Sequence, residues 1–303
     1  MRKYLPVIVI AAALAVGVYV GYIAGHRRDT VAGPTLAMTF LDAEHGNGII
    51  VRTPEGKFVV VDPGPAECAR GLMKELKRSR AASVSVVVTK PSSARGGALR
   101  RLVSEFDVTE VYTGETEGSA GTWKHALERA RKRGIPIRAL FGGSTVRLSP
   151  TTAFEVLGPP AGLLHATESD WDNNSLVTRF RFGEKRFLLM SDARVEAECY
   201  LIQSAAAQLE TDRPQAELES DVLVLGRNGR SGSTSLELLS RVRPESCVVI
   251  AGRGRNRPSR AILNRVDTKN TGAAVYRTDK DGTIRMVTDG HSVVVSTEGA
   301  TRG

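Results

Sequence analysis

Apolar residues along most of this chain fall into short runs of two kinds, some with the period of a strand and some with that of a helix. The segments 36–43 (LAMTFLDA), 48–53 (GIIVRT) and 58–62 (FVVVD) are rich in Val, Ile and Phe and are joined by Gly-containing turns, which predicts strands. Pro54-Glu55-Gly56-Lys57 places Pro and Gly at hairpin-turn positions. A helix is predicted over 66–80, a buried-type strand over 83–89, a helix over 97–106 and a strand over 108–114. The helix over 122–133 is ended by Gly134, with Pro136 beyond it. The second half repeats the style, with strands over 152–159, 175–183, 185–192, 221–226 and 247–252 and helices over 196–208, 235–242 and 259–266. The stretch 274–290 predicts a terminal hairpin turning at Asp281-Gly282. Two β-rich halves with helices outside them predict an α/β protein of the αββα sandwich type, with a generic α/β domain as the alternative.

The N-terminus follows a different pattern. Residues 5–24 are uncharged and mostly apolar, and those 20 residues match the roughly 20 that cross about 30 Å of hydrocarbon as a helix. Arg2 and Lys3 precede the run, Arg27 and Arg28 follow it, and Tyr4 and Tyr22 sit where interfacial aromatics belong. A cleaved signal core is usually about 7–15 residues, so the length favours an uncleaved transmembrane anchor over 1–28. The expected organisation is that anchor, a linker over 29–35, one domain over 36–295 and a flexible tail over 296–303. A short basic N-terminus inside and the large domain outside the cytoplasm is the expected topology of a single-pass membrane protein.

Composition adds one strong constraint. The 303 residues are an ordinary globular mix, but 42 Lys and Arg against 33 Asp and Glu leave a net charge of +9. That excess serves solubility or an anionic partner such as nucleic acid or lipid headgroups. Cys68, Cys199 and Cys247 are too few and too far apart for a disulfide framework or a CxxC metal pair.

Five strings occur in one order: 40–65, 86–102, 171–193, 221–235 and 274–290. Phe40-Leu41-Asp42 followed by Gly46, the Asp172-Asn173-Asn174-Ser175 string, the Ser191-Asp192-Ala193 string and the final Tyr276-to-Gly282 segment make them distinctive together. Over residues 36–290 the chain resembles the metallo-β-lactamase-fold domain of the ComEC-type competence family, the DNA-uptake channel proteins. The resemblance implies an αββα sandwich with a site where the two sheets meet, and one or two metals, commonly Zn²⁺ or Mn²⁺, that activate water against an ester or phosphodiester. The family's multi-helix membrane core has no counterpart here, so the single apolar segment is expected to anchor the domain, not to form a pore.

At the site the sequence departs from the family. The His-x-His-x-Asp-His motif that follows a Thr-ending strand is replaced after Thr89 by Lys90 and Ser92 at the first two His positions, Ala94 at the Asp and Arg95 at the last His. The late Gly-His-His-Gly-Ser string reads Gly226-Arg227-Asn228-Gly229-Arg230, and the His before the last helix is matched by Ser259 within 253–260. Asp62 and Asp192 remain in place, while Asp42, His45, Asp172, Asn173, Asn174 and Ser175 are expected at the rim. A catalytic zinc usually takes three protein ligands, so no metal cofactor is expected, with Zn or Mn as the alternative. A carboxylate-only magnesium site through Asp62, Asp172 and Asp192 would have to compete with Lys90, Arg95 and Arg227 for the same oxygens. Three readings of the pocket follow: internal salt bridges filling a dead site, an anion site built from Lys90, Arg95, Arg227, Arg253, Arg255 and Arg257, and residual hydrolysis. The expected function is therefore binding or assembly with DNA or another polyanion by a catalytically inactive domain, against the alternative of a metal-dependent hydrolase or nuclease. Trp171 is expected to pack and not to stack on bases.

Overall fold

The computed structural model describes residues 33–42, 48–114, 121–209, 218–251 and 257–299. His45, Arg253, Arg255 and the apolar segment 5–24 lie outside them. No helix among the described residues is long and apolar enough to cross a membrane.

Two sheets face one another. The first contains β1 (Leu36–Phe40), β2 (Ile49–Arg52), β3 (Phe58–Val61), β4 (Ser83–Val88), β5 (Asp107–Thr113), β6 (Ile137–Ala139), β14 (Ile284–Thr288) and β15 (Val293–Thr297), in the order β15-β14-β1-β2-β3-β4-β5-β6. The second contains β7 (Thr145–Arg147), β8 (Ala153–Gly158), β9 (Val177–Phe182), β10 (Lys185–Leu189), β11 (Val222–Val224), β12 (Ser246–Val249) and β13 (Ala274–Arg277), in the order β13-β12-β11-β10-β9-β8-β7. Helices α1 (Ala69–Arg78), α2 (Leu99–Glu105) and α3 (Gly121–Lys132) cover the outer face of the first sheet, and α4 (Val195–Leu209), α5 (Leu236–Val242) and α6 (Arg260–Val266) that of the second. This is the αββα sandwich that the hydrophobic pattern predicts.

Alternation along the strands builds it. Val59 and Val61 face the inter-sheet core with Phe40, Phe154, Phe180 and Phe187, while Val60 faces Leu72 and Leu76 of α1. Phe154 stacks near Phe180 at 5.2 Å and meets Tyr112 edge-on at 5.8 Å. Trp123 is fully buried under the one-turn helix Ser93–Gly96. A Cβ on Gly96 would stand 2.3 Å from its Cε3. Gly96→Ala is therefore expected to cost about 1–3 kcal/mol, the usual penalty of overpacking, read as a lower urea midpoint at unchanged slope.

The C-terminal segment differs from the sequence expectation. Residues 274–290 form no hairpin. β13 pairs in parallel with β12 in the second sheet, the one-turn helix Thr278–Asp281 follows, and β14 pairs antiparallel with β1 in the first sheet. The buried Thr278 hydroxyl, bonded to both the amide and the carbonyl of Ala251, pins the crossover. The hairpin is instead β14–β15, closed by the Asp289 carboxylate on the amides of His291 and Ser292. Strand periodicity reports which face a residue takes, not which strand it pairs with, so two strands of different sheets read like a hairpin.

Pairing directions fix where chemistry can lie. β1 and β3 both run antiparallel to β2, and β3 to β6 run parallel. The residues after β3, β4, β10 and β11 converge at one end of the sandwich, called here the mouth. Leu36, where the chain enters the first sheet, lies at the opposite end.

Candidate functional site

The mouth is built from the ends of central strands. Asp62 follows β3, Thr89 and Lys90 follow β4, Ser191 and Asp192 follow β10, and Arg227 and Asn228 follow β11. Asp62, Ser191, Arg227 and Asn228 all hold left-handed backbone, with φ of 48°, 53°, 53° and 57°. Such a conformation is uncommon for residues with a Cβ, and its clustering at one edge marks a constrained site.

A chain of charge fills the centre. Arg95, buried on the one-turn helix Ser93–Gly96, donates to Asp62 Oδ2 at 2.8 Å and bonds Asp192 with its other terminal nitrogen. Lys90 Nζ sits 2.5 Å from Asp172 Oδ1 and 3.1 Å from Asp192 Oδ2. Thr89 donates its amide and its hydroxyl to Asp62, at 2.8 and 2.6 Å, and its oxygen lies 2.5 Å from the Ser191 hydroxyl. Burial pushes the Asp62 carboxyl upward against the pull of Arg95 and Thr89. Burial acts the same way on Asp192, but there Arg95 and Lys90 win and hold it well below the ordinary carboxylate range. The space left beside Asp62, Thr89, Arg95, Ser191 and Asn228 is a cavity of about 20 Å³, room for roughly one water.

The Asp172-to-Ser175 string divides its labour. Asp172 faces the cations. Asn173 Oδ1 accepts the amides of Arg194 at 3.0 Å and Ala197 at 3.3 Å, fixing the start of α4. Asn174 bonds the amide and carbonyl of Leu164, and Ser175 donates to Asp172 and accepts the Asp192 amide at 3.2 Å. Three of the four residues shape loops, the ordinary role of such side chains.

Outside this chain of charge lies a second group that sequence reasoning missed in part. Arg194 and Arg227 approach Asp172 Oδ2 at 3.6 and 3.7 Å, too long for hydrogen bonds. Arg194 also pairs with Glu168, and Arg227 donates to the Ser231 carbonyl. Burial, then Arg194, then Arg230 lower the proton affinity of the Arg227 guanidinium. The Nε atoms of both Arg194 and Arg227 are buried with no hydrogen-bond partner. Glu198, buried in α4, accepts the Thr234 and Ser235 amides at 2.5 and 2.9 Å and so holds the loop that follows these arginines. Arg194 directly follows Ser191-Asp192-Ala193 in the sequence. Its position two residues beyond a site carboxylate is the signal that could have found it.

Trp171 corrects an expectation. It is 52% exposed, not packed, and its ring lies 5.5 Å from Lys90 Nζ. Val195 and Leu236 are the other exposed large apolar residues among those described, at the first positions of α4 and α5. Of the remaining expected residues, Ala94 is exposed, Ser92 is half-buried and caps no amide with its side chain, and Asp42 is half-buried after β1. Arg257 is exposed.

The sandwich with its site at the strand ends has the metallo-β-lactamase fold. In sequence the chain is similar to ComE operon protein 3 of Bacillus subtilis (strain 168), 26% identical over 161 residues, which covers 52% of this chain and 19% of that protein. It thus spans about a fifth of the length of that curated relative, and no family model matches it. Among solved structures, the E377D mutant of CmlA β-hydroxylase matches with a TM-score of 0.54 at 11% identity, covering 85% of this chain and 54% of that one. CmlA from Streptomyces venezuelae, a diiron β-hydroxylase, matches with a TM-score of 0.51 at 12% identity, over 80% and 52%.

These neighbours correct the expectation that no metal cofactor is involved: a chain of the same fold is a diiron enzyme, which points to metal binding. Among the described residues no three His, Cys, Asp or Glu side chains are grouped to hold a metal. The carboxylates that face one another, Asp62, Asp172 and Asp192, are bridged by Arg95 and Lys90. The described residues therefore do not fit the group that the fold implies, and no chemical step is derived through it.

Proposed function

We propose that the mouth is a binding site for an anionic phosphodiester strand, held by Arg194, Arg227 and Arg230 beside Trp171, and that the domain binds it and does not cleave it. The observation that carries this reading is the pair of buried Nε atoms on Arg194 and Arg227 that lack a hydrogen-bond acceptor, the Arg227 atom standing 3.7 Å from Asp172 Oδ2. A buried donor without an acceptor is unfavourable by about 1–3 kcal/mol, and a phosphate oxygen arriving between the two guanidinium groups would supply the acceptor. The mutual repulsion that acts on Arg227 would be relieved by the same anion. The exposed indole of Trp171, 5.5 Å from Lys90 Nζ and adjoining Asp172 in the chain, offers the face on which a base of a single strand stacks, worth about 1–3 kcal/mol. Hydrolysis needs a group free to take a proton from water, and each carboxylate at the centre is already held by a cation. The sequence match to ComE operon protein 3 supports the resemblance to the ComEC-type competence family that the five strings carry.

The test is titration of labelled single-stranded oligonucleotide against the purified protein at several salt concentrations. Binding is expected to weaken with salt by about 0.7 log units per phosphate contact per log unit of salt. The R194A/R227A pair is expected to lower affinity at least about tenfold and to flatten the slope, and Trp171→Ala to lower affinity with the slope unchanged. Absence of binding at low salt, or cleavage of the strand by the native protein, overturns the reading.

A further inference from the structure

The charge of this protein is unevenly placed: exposed basic residues run along the first helical layer and continue to the end far from the mouth. Because β3, β4, β5 and β6 run parallel, α1 and α3, which connect them, run back towards the end where Leu36 enters. That end carries Arg80 just after α1, Arg129, Arg131 and Lys132 in the last turn of α3, and Arg52 at the end of β2. All five are exposed, and none forms an ion pair among the described residues. Higher up the same helical layer Arg70, Lys74, Arg100 and Lys124 are also exposed and unpaired in the same sense. Of the carboxylates in this layer, Glu105 binds Lys77 and Arg101, Glu75 binds Arg285 and lies near Arg78, and Glu128 faces His125, while exposed Asp107 at the start of β5 and exposed Glu55 in the turn after β2, bonded by Thr151, lie at the same end as the five basic residues. The opposite helical layer shows no such excess, since Glu196, Glu198 and Glu237 on α4 and α5 balance Arg241, Arg260 and Arg265 on α5 and α6.

Helix C-termini favour basic residues because the macrodipole is negative there, but the effect falls off within the last turn and is satisfied by one or two charges. It does not account for a field that continues along the whole layer and onto β2. A face with this charge and no exposed aromatic residue fits a diffuse anionic surface better than a strand of bases, which would need stacking partners.

We infer that this end of the first helical layer docks against a bilayer bearing anionic lipid headgroups. The inference rests on residues 5–24 being a membrane anchor and adds the orientation of the domain to that reading. Fewer than a dozen residues separate Ala24 from Leu36, a reach of no more than about 40 Å even fully extended. Chain entry and basic end coincide, so a short tether presents this face to the membrane. Each Lys or Arg near an anionic surface contributes about 1 kcal/mol, and five acting together hold the domain at the bilayer. The mouth, at the far end of the strands, then points away from the membrane and stays open to a strand in solution.

The experiment uses the full chain in lipid nanodiscs of phosphatidylcholine alone or with about a third phosphatidylglycerol. Hydrogen–deuterium exchange is followed in peptides covering 77–82 and 129–135. Exchange in both is expected to slow severalfold in the phosphatidylglycerol discs only, and the protection to vanish at about 0.5 M salt. The R129E/R131E/K132E variant changes exposed, unpaired side chains and is expected to abolish the protection; if its melting temperature falls, the R129Q/R131Q/K132Q variant replaces it. Equal exchange in the two discs overturns the docking, as does protection conferred by an added oligonucleotide and not by lipid, which would give this face to nucleic acid. Alkaline carbonate washing of membranes tests the anchor separately. A chain that resists washing yet shows equal exchange sinks the docking alone, whereas a chain released by carbonate sinks the anchor and with it the tether on which the orientation rests.

Discussion

Arg95→Ala is expected to remove about 3–5 kcal/mol of folding stability, the usual result of deleting one partner of a buried charge pair. Arg95 lies between Asp62 and Asp192 and is the bridge that both carboxylates share. Its loss leaves two buried carboxylates in one cluster, with Lys90 on Asp192 and the Thr89 hydrogen bonds on Asp62 as what remains in contact among the described residues. Urea unfolding at neutral pH measures the difference. The effect carries a pH signature. In the native protein Asp192 is held below its unfolded value, so it contributes stability above the unfolded carboxylate range, near pH 4, and that contribution is lost as pH falls towards the folded value. Without Arg95 both carboxylates rise and take up protons, which relieves the variant in acid. The gap between native and variant is therefore expected to narrow between pH 7 and about pH 3.5. A gap of the same size at both would assign the loss to packing. Arg95→Lys restores charge but cannot reach two acids with a planar fork, and is expected to recover only part of the stability.

Lys90→Ala is expected to change how the protein responds to divalent cations. Lys90 Nζ lies at hydrogen-bond distance from both Asp172 and Asp192. Removing it frees one oxygen of each, beside Asp62, in a place where hard cations find carboxylate ligands. Mn²⁺ is expected to raise the melting temperature of the variant more than that of the native chain. Saturation at about a hundred times the dissociation constant corresponds to roughly 2.7 kcal/mol of stabilisation. A thermal melt with and without the ion, on both proteins, reads it directly. Equal shifts in the two proteins would show that Lys90 does not stand in the way of a cation. The outcome bears on how a fold whose solved neighbours include a diiron enzyme presents its site in this chain.

Much of the candidate site was legible before any coordinates. Asp62, Lys90, Arg95, Asp172, Asp192 and Arg227 meet at one edge because each follows or faces a strand end, and strand ends show in the pattern as the close of an apolar run. The pairing of Lys90 and Arg95 with those acids follows from charge once the positions converge. What stayed hidden is equally specific. Arg194 just before α4 and Glu198 within it look like surface residues in the sequence; the turn at Ser191, with its left-handed φ of 53°, brings the start of α4 to the mouth. Trp171 looks like a packing residue because aromatics usually are buried, and its exposure is a property of the loop that carries it.

The sequence alone narrowed the architecture to a layered α/β domain, because alternation at period two and amphipathic helices between strands leave few ways to bury both faces of a sheet, and the pairing into two facing sheets then separated the αββα sandwich from a generic α/β domain. It also showed that Lys90, Ser92, Ala94 and Arg95 stand where the family's motif has His and Asp, which is a matter of chemical identity and not of geometry. Only the tertiary structure decided which strands pair, and so sent β13 and β14 into different sheets although together they read as one hairpin. It alone decided which arginines are left with nitrogens that lack a hydrogen-bond acceptor, and that exposed basic residues of the first helical layer continue to the end where the chain enters the domain. Side-chain partners across the mouth lie as far as 102 residues apart in the chain, as Lys90 and Asp192 do. Such contacts depend on strand order and direction, and these are set by the global closure of the core, not by any local pattern of polar and apolar residues.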